Sequence, residues 1–215
     1  MRIVLFGATG YAGGRIAKEA LSRGHEVIGV ARDVSGLPEA DGLSGRQGTM
    51  HDPAFVLDVT KGADAVLIAT PGRPAADGKK LLDAVPTLLD AARTNGFRLG
   101  VVGGAGSLRV AEGGPRVIDT PDFPAEFKLE AGSHAEVLDA LREAPADVDW
   151  FYVSPPAVFG AYAPGERTGT YRVGGDLLLS DEAGNSTIGG DDFALAFVDE
   201  LDAPAHHRTR FTVAY

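Results

Sequence analysis

Three regularly spaced glycines follow directly after the first apolar run of the chain. The run Arg2–Phe6 fits a central parallel strand that is buried on both faces, and Tyr11–Arg23 carries a helical pattern of apolar side chains. Between them, Gly7 suits a tight turn, Gly10 the close approach of a phosphate, and Gly13 the packing of helix on strand. We therefore expect an α/β fold in which the N–H groups of this turn and the helix dipole bind a dinucleotide pyrophosphate.

Strands and helices alternate along the rest of the chain, punctuated by glycines. Further strands are predicted at Glu26–Ala31, Arg46–Thr49, Asp64–Thr70, Arg98–Val102, Asp149–Val153 and Thr209–Ala214, and further helices at Pro53–Thr60, Lys79–Thr94, Pro124–Glu143 and Asp191–Leu201. This alternation predicts a Rossmann-type doubly wound, mainly parallel sheet with a small C-terminal hairpin and helix portion on the substrate side.

Several local features refine this prediction. The loop Pro71–Gly78 precedes a helix that Pro86 is expected to kink or split. Phe127 is expected to contact the core from the next helix. Thr168–Leu179 alternates and turns at a Gly-Gly pair, which predicts a small hairpin. The last helix is expected to be capped by an aspartate, Asp191 or Asp192.

The length of 215 residues fits a single domain. We expect one NAD(P)-binding domain over 1–215, with a cofactor-binding core at 1–156, a small substrate-side insertion at 157–190 and a closing helix and strand at 191–215. No apolar run approaches the roughly 18–20 residues of a membrane span, and no signal-peptide pattern follows Met1. A cytoplasmic protein without a membrane partner is expected.

Charge and cysteine content exclude other classes of protein. The chain has no cysteine, so a disulfide scaffold, a thiolate zinc site and a catalytic thiol are excluded. The net charge of −10 argues against a nucleic-acid partner. Residues 1–110 have 13 Lys and Arg against 11 Asp and Glu, whereas residues 111–215 have 7 against 19. An anionic ligand is therefore expected in the first half, and no histidine pattern predicts a metal site.

Arg32 follows the second predicted strand, where the adenosine ribose of a Rossmann ligand lies. A guanidinium there can bind a 2′-phosphate, which favours NADP over NAD. Asp33 could turn inward instead and leave Arg32 in solvent. Residues at strand ends complete the predicted cofactor site: Gly7, Thr9, Gly10, Tyr11, Ala12, Gly13, Arg32, Asp33, Ala69, Thr70, Pro71, Gly103, Gly104, Ser154 and Pro155.

Four segments resemble a known superfamily: the glycine turn at 7–13, Val-Val-Gly-Gly-Ala-Gly-Ser-Leu at 101–108, 150–156, and Gly-Glu-Arg-Thr-Gly-Thr-Tyr at 165–171. They are similar to the atypical short-chain dehydrogenase/reductase proteins, in particular the small NADH-flavin reductase-like NAD(P)-binding members. Biliverdin/flavin reductases and NmrA-type proteins are more distant. The resemblance implies a Rossmann fold that binds NADP(H) or NAD(H), with a C-terminal portion covering the substrate.

The usual proton-transfer residues of that superfamily are incomplete in this chain. The region that normally holds Tyr-x-x-x-Lys reads Phe-Pro-Ala-Glu-Phe-Lys at 123–128, so Lys128 is either a remnant or an ordinary solvated lysine. Ser107 is a possible counterpart of the usual serine, although Ala105 could occupy that position. His134 is either a general acid or a surface histidine. The missing tyrosine favours flavin or quinone-like acceptors, which can take their proton from solvent, or no catalysis.

On the substrate side, Phe159, Tyr162 and Tyr171 could form an apolar wall for a flat ring or pack within the C-terminal portion. Arg167 could bind an anionic group of the substrate or pair with Glu166 or another nearby carboxylate. We predict an NADP(H)-dependent reductase of a flavin or a small conjugated carbonyl compound. A non-catalytic NAD(P)-sensing protein of NmrA type is the alternative, and isomerase or epimerase chemistry with a tightly held cofactor is a third. A small-molecule partner is expected, and both a monomer and a homodimer remain open.

Overall fold

The computed structural model describes residues 1–75 and 77–215. The strands are β1 (Arg2–Phe6), β2 (Glu26–Ala31), β3 (Leu43–Gln47), β4 (Ala65–Ile68), β5 (Arg98–Val102), β6 (Trp150–Ser154), β7 (Arg172–Gly174) and β8 (Thr209–Ala214). The helices are α1 (Tyr11–Ser22), α2 (Pro53–Val59), α3 (Leu81–Asn95), α4 (Lys128–Arg142) and α5 (Gly190–Asp202). Ala76, within the predicted loop Pro71–Gly78, lies outside the described residues.

The strands form one sheet in the order β3-β2-β1-β4-β5-β6-β8-β7. Every neighbouring pair is parallel except β7 and β8. The strand order reverses between β1 and β4, which is the switch point where ligands bind in doubly wound sheets. The predicted fold is therefore confirmed, and the parallel strands end together at one side of the sheet, which we call the carboxyl edge.

Helices cover both faces of the sheet and enclose two apolar layers. The layer under α2, α3 and α4 buries Val66, Leu88 and Leu138. The layer under α1 and α5 buries Ile16 and Phe197. Burial of a side chain of this size stabilises the fold by about 1.5–3 kcal/mol.

The predicted elements agree with the observed bounds within two residues, except at β3 and at the start of α4. β3 begins at Leu43, three residues before the predicted start. The prediction was inaccurate here because the side chains of this strand are mostly exposed and form no clear apolar pattern. Residues 125–127 form a separate 3₁₀ turn before α4. Phe127 ends that turn and is exposed, so its expected core contact is wrong; the buried face of α4 begins at Ala131.

Of the two outcomes predicted for Pro86, a kink or a split, the split does not occur, since α3 is one continuous helix. Proline removes a single backbone donor in the second turn. Ala84, Val85 and Leu88 are buried on either side of it, so tertiary packing holds the helix together. Among the described residues, no helix is long and apolar enough to cross a membrane.

The C-terminal portion departs from prediction in two places. Thr168–Leu179 is not a hairpin, because β7 pairs with β8, with Arg172 opposite Ala214. Alternation identified a strand but not its partner, which lies far along the chain. The expected aspartate cap of α5 is wrong as well. Gly189 is the N-cap, and Asp192 lies inside the first turn and binds another segment.

Candidate functional site

A cavity of about 400 Å³ opens at the carboxyl edge beside the switch point between β1 and β4. Seven predicted residues line it: Gly7, Thr9, Gly10, Arg32, Ala69, Thr70 and Pro71. The lining also includes residues that sequence reasoning missed, among them Thr49, Met50, His51, Arg73, Asp77 and Lys79. The cavity thus combines the glycine turn, the end of β2 and the two segments that follow β3 and β4.

The glycine turn is packed so closely that two of its glycines admit no side chain. Gly7 has a φ of +86°, and a Cβ there would overlap the carbonyl oxygen of Ala69. A Cβ at Gly13 would overlap the carbonyl oxygen of Gly7. At Gly10 the nearest atom to a Cβ, the Gly7 oxygen, would be 3.2 Å away. Gly7 and Gly13 therefore fix the backbone, whereas Gly10 is the position where the chain leaves room beside the cavity.

Gly10 is the N-cap of α1, and no side chain caps this helix end. The first N–H groups of a helix have no partner within it. They carry the positive end of the helix dipole, so they favour an anion. This end of α1 can accordingly hold a phosphate group.

Arg32 lies exposed at the rim of the cavity, and its guanidinium forms no ion pair among the residues that the structure describes. Its backbone is held in place, because Gln47 Nε2 donates to the Arg32 carbonyl oxygen at 2.9 Å. Asp33 is turned to its own loop and accepts from the Ser35 amide at 2.9 Å. Hydrogen bonds from Ser35 hold the pKa of Asp33 below its ordinary value. Arg32 can therefore reach an anion in the cavity.

The missed residues add further charge. Arg73 and Lys79 bring two more cations to the lining, one at each end of the segment after β4. His51 is half-buried beside them, and burial followed by the charge of Lys79 lowers its pKa. A neutral imidazole can accept or donate a hydrogen bond. The sequence signal was two cations flanking a loop at the end of a predicted strand.

His134 is buried, with 5% of its surface exposed, so the alternative of a surface histidine does not apply. Its Nε2 lies 3.4 Å from Glu130 Oε1. Glu130 also accepts from the amides of Gly72 at 2.7 Å and Arg73 at 3.0 Å. Burial acts to raise the pKa of Glu130, but these donors outweigh it and lower that pKa to about 2. The pair thus joins α4 to the loop that lines the cavity.

Ser107 and Ser154 are brought together by a buried arginine. Arg210 donates to Ser107 Oγ at 3.2 Å and to Ser154 Oγ at 3.3 Å. The same guanidinium binds Asp176 Oδ1 at 2.7 Å through Nε. Lys128 is exposed at the start of α4. Of the three predicted catalytic candidates, Ser107 is thus bound within the chain, Lys128 is exposed to solvent, and His134 is buried beside Glu130.

The remaining cofactor candidates lie outside the cavity lining: Tyr11, Ala12, Gly13, Asp33, Gly103, Gly104, Ser154 and Pro155. A Cβ at Gly103 would overlap the ring of Tyr152. The hydroxyl of Tyr152 accepts from the Gly104 amide at 3.1 Å and donates to the His134 carbonyl at 3.0 Å. Burial raises the pKa of this hydroxyl. These glycines allow a buried tyrosine to tie β6 to α4.

The predicted substrate residues have partners within the chain. Phe159 packs against Tyr11 and Phe193, with ring centroids 5.5 and 4.5 Å apart. The Tyr171 hydroxyl donates to Asp199 at 2.6 Å. Arg167 binds Glu19 on α1 at 2.7 Å rather than Glu166. The segment 165–171 therefore anchors the C-terminal portion to α1 and α5.

We compared the chain with known proteins. Residues 7–204 match the model of a protein family described as NAD(P)H-binding. A "putative exported protein" from Burkholderia pseudomallei is 38% identical with a TM-score of 0.86, and 100% of each chain is covered. A "putative epimerase" from Bacteroides thetaiotaomicron is 37% identical with a TM-score of 0.88, covering 100% of this chain and 96% of that one. A "putative NADH-flavin reductase" from Streptococcus pneumoniae is 33% identical with a TM-score of 0.81, and the match covers 100% of this chain and 99% of that one.

Proposed function

Because the chain belongs to the NAD(P)H-binding family, we propose that it is an NADP(H)-dependent oxidoreductase that reduces a flavin or a small conjugated carbonyl or quinone-like acceptor. The observation that carries the choice of NADP is the exposed Arg32 at the cavity rim, since its neighbour Asp33 is bound to Ser35. The similar protein from Streptococcus pneumoniae supports the choice of acceptor.

The residues at the carboxyl edge fit a dinucleotide. Gly10 leaves space at the uncapped start of α1, where the N–H groups would bind the pyrophosphate. Arg32 would bind the 2′-phosphate through charge-assisted hydrogen bonds, and Arg73 and Lys79 add positive charge to the same cavity. When bound, the reduced nicotinamide supplies the two electrons of the reaction as a hydride.

The chain's own groups favour an acceptor that needs no strong proton donor. Tyr-x-x-x-Lys is missing at 123–128, and Ser107 is already bound by Arg210. His134, with Glu130 at 3.4 Å, is the proposed proton source near the ends of β4 and β5. A flavin or quinone can also take its proton from water.

The bound state of Ser107 also favours one alternative, a non-catalytic NAD(P)-sensing protein of NmrA type. The two functions differ in turnover. We expect steady oxidation of NADPH when free riboflavin or menadione is added. Tight NADPH binding without turnover over a broad panel of acceptors would make the sensing function correct and the reductase wrong. A cofactor that co-purifies with the protein would instead favour an epimerase, as the similar protein from Bacteroides thetaiotaomicron suggests.

The role of Arg32 is tested by titrating NADPH and NADH into the wild type, Arg32→Ala and Arg32→Glu. Hydrogen bonds to a charged group contribute about 1.5–3 kcal/mol, so Arg32→Ala should weaken NADPH binding roughly 10- to 150-fold. NADH binding should change little, and Arg32→Glu should reverse the preference. Arg46→Ala is a matched control, because Arg46 is exposed on β3 and pairs with Asp58 instead. A wild-type ratio of dissociation constants near one would contradict the proposal.

We also propose that residues 157–190 form the substrate side of a single domain and that the protein acts in the cytoplasm. The similar protein from Burkholderia pseudomallei, described as exported, is the reason to test location directly. Fractionation of the native host should recover the protein with cytoplasmic markers. Recovery in the medium or the envelope would contradict this.

A further inference from the structure

Two large aromatic rings lie exposed against each other on the surface. Phe127 is 47% exposed and Tyr162 is 67% exposed. Their rings are nearly parallel, at 20°, with centroids 6.4 Å apart. The two residues come from segments that are distant in the sequence, one before α4 and one after β6. We call them the aromatic pair.

The aromatic pair lies at the carboxyl edge but outside the lining of the cavity, on the side where β4, β5 and β6 end. Phe127 immediately precedes α4, whose first turn carries Glu130 bound to the loop after β4. Tyr162 is beside the start of α1: its hydroxyl is 3.4 Å from the Phe159 amide, and the Phe159 ring packs on Tyr11 at 5.5 Å. The pair therefore connects the two loops on either side of the edge where β4, β5 and β6 end.

Other aromatic groups near this edge are already committed to the fold. Phe159 packs on Phe193, Tyr171 donates to Asp199, and Tyr152 is fully buried. The aromatic pair is different, because Phe127 and Tyr162 are 47% and 67% exposed. Exposed aromatic side chains whose surfaces are not used by the fold are available to a ligand.

From this contrast we propose that Phe127 and Tyr162 form the platform on which the planar conjugated ring of the acceptor stacks. The proposal rests on the proposed reductase function and names its substrate subsite. Flat π-systems prefer offset stacking on aromatic faces at centroid distances of about 4.5–7 Å. Because Phe127 and Tyr162 are themselves stacked, the ring of the acceptor would lie on the outer face of the pair and extend the stack. This favours a planar conjugated acceptor over a small aliphatic carbonyl compound.

Equilibrium binding tests the platform without any turnover. Lumiflavin and menadione, two uncharged planar probes, are titrated into protein saturated with NADP⁺, and NADPH binding is titrated separately. Tyr162→Ala and Phe127→Ala should each weaken lumiflavin binding about 10-fold, which corresponds to about 1.4 kcal/mol. Tyr162→Phe keeps the ring and should bind as the wild type does. Val173→Ala, which shortens an exposed side chain on the edge strand β7, is the matched control.

The outcomes separate this inference from the proposed function. Unchanged NADPH affinity in all variants, with weaker lumiflavin binding only where a ring of the pair is lost, supports the platform. Wild-type protein that binds NADPH but neither probe, or alanine variants that bind lumiflavin normally, overturns the platform and leaves the cofactor proposal intact. Sedimentation gives the third outcome: if Tyr162→Ala dissociates a wild-type dimer, the pair is an interface between two copies and the platform is wrong.

Discussion

The cavity at the end of β2 and the segment 165–171 both contain glycines and an arginine, yet they differ in how their polar groups are bound. In segment 165–171, Arg167 binds Glu19, and Thr168 and Gly169 bind Asp192. At the cavity, Arg32 has no ion pair among the described residues. A charged group whose partner is within the chain holds the fold, whereas one at a cavity rim is available to a ligand. This difference yields four predictions on stability and binding.

The largest effect is expected from Asp192→Ala in the first turn of α5. The fully buried carboxylate accepts from Thr168 N at 2.7 Å, Thr168 Oγ1 at 2.8 Å, Gly169 N at 2.9 Å and the Tyr215 hydroxyl at 2.6 Å. Its loss removes all four hydrogen bonds, while the Thr168 and Tyr215 hydroxyls keep the carbonyl oxygens of Thr170 and Glu166 as acceptors. The unfolding free energy should therefore fall by about 3 kcal/mol. Thermal unfolding should show a midpoint lower by about 10 °C.

Asp191→Ala is the matched control for this substitution, because the neighbouring carboxylate is partly exposed, at 37%, and lies 3.5 Å from Arg15. It should change the unfolding free energy by less than about 1 kcal/mol. Folded Asp192→Ala should keep the NADPH dissociation constant of the wild type. If folded Asp192→Ala bound NADPH much more weakly than the wild type, segment 165–171 would also contribute to cofactor binding, and the contrast between the two regions would be wrong.

The second prediction concerns Gly10→Val at the start of α1. A branched side chain would fill the space that the pyrophosphate needs, so NADPH binding should weaken at least about 100-fold. The fold should remain cooperative, because the Gly7 oxygen, 3.2 Å from a Cβ there, needs to move by only a few tenths of an ångström. Isothermal titration measures the loss. Gly14→Ala, one turn further along the same helix, should leave NADPH affinity unchanged; equal effects in both variants would show that the turn serves packing alone.

The third prediction concerns Glu130, which is bound within the chain and also positions a loop that lines the cavity. This carboxylate holds the loop after β4, and its pKa is about 2 in the folded protein against an ordinary 4.5. The stability that it contributes is therefore complete above pH 4.5 and is lost as the pH falls toward 2. Because the side chain is 35% exposed, we expect a contribution of only about 1 kcal/mol.

Glu130→Gln measures that contribution. The variant should have a lower unfolding midpoint than the wild type at pH 6, and the difference between the two midpoints should narrow as the pH falls to 3 and vanish only near pH 2. NADPH affinity at pH 6 should fall a few-fold, because the loop carries Arg73 into the cavity. Glu136→Gln serves as control, since Glu136 is exposed on the same helix. A constant difference between pH 6 and pH 3 would contradict the assignment.

The smallest effect is expected from Arg167→Ala. The arginine is 48% exposed, and its partner Glu19 keeps a second ion pair with Arg23 at 2.8 Å. The unfolding free energy should fall by less than about 1 kcal/mol, and the ratio of NADPH to NADH affinity should not change. Arg93→Ala, which breaks the surface pair with Asp147, gives the reference for an exposed arginine. If the KM for the acceptor rose in Arg167→Ala but not in Arg93→Ala, Arg167 would contact the substrate after all.

The central strands could be predicted from sequence because they are short apolar runs that end at glycines, as β1 does before Gly7. β3 and β7 could not be located with the same accuracy. Their side chains are mostly exposed, so hydrophobic burial leaves no pattern in them. The partner of β7 was missed because alternation along a segment carries no information on which distant strand supplies its hydrogen bonds.

The candidate site was predictable only in part for a related reason. Strand ends identified the edge at which the cavity opens, and Gly7, Gly10 and Arg32 line that cavity. The same rule included Gly103, which lies outside the lining and makes room for the ring of Tyr152. It omitted His51, since the segment after β3 has no motif. Topology fixes the edge of the sheet, but the direction of each loop depends on contacts such as that of Glu130 with Gly72.

The position of β8 in the sheet has a consequence for the order in which parts of the chain can fold during synthesis. β8 is synthesised after β7, yet it lies between β6 and β7. At about 5–20 residues per second, residues 155–208 leave the ribosome before the strand that fixes them to the sheet. β1, β2 and β4, which carry the cavity, already have their neighbours by then. The part that we propose binds the nucleotide can therefore fold first, and the part that we propose covers the acceptor joins the sheet last.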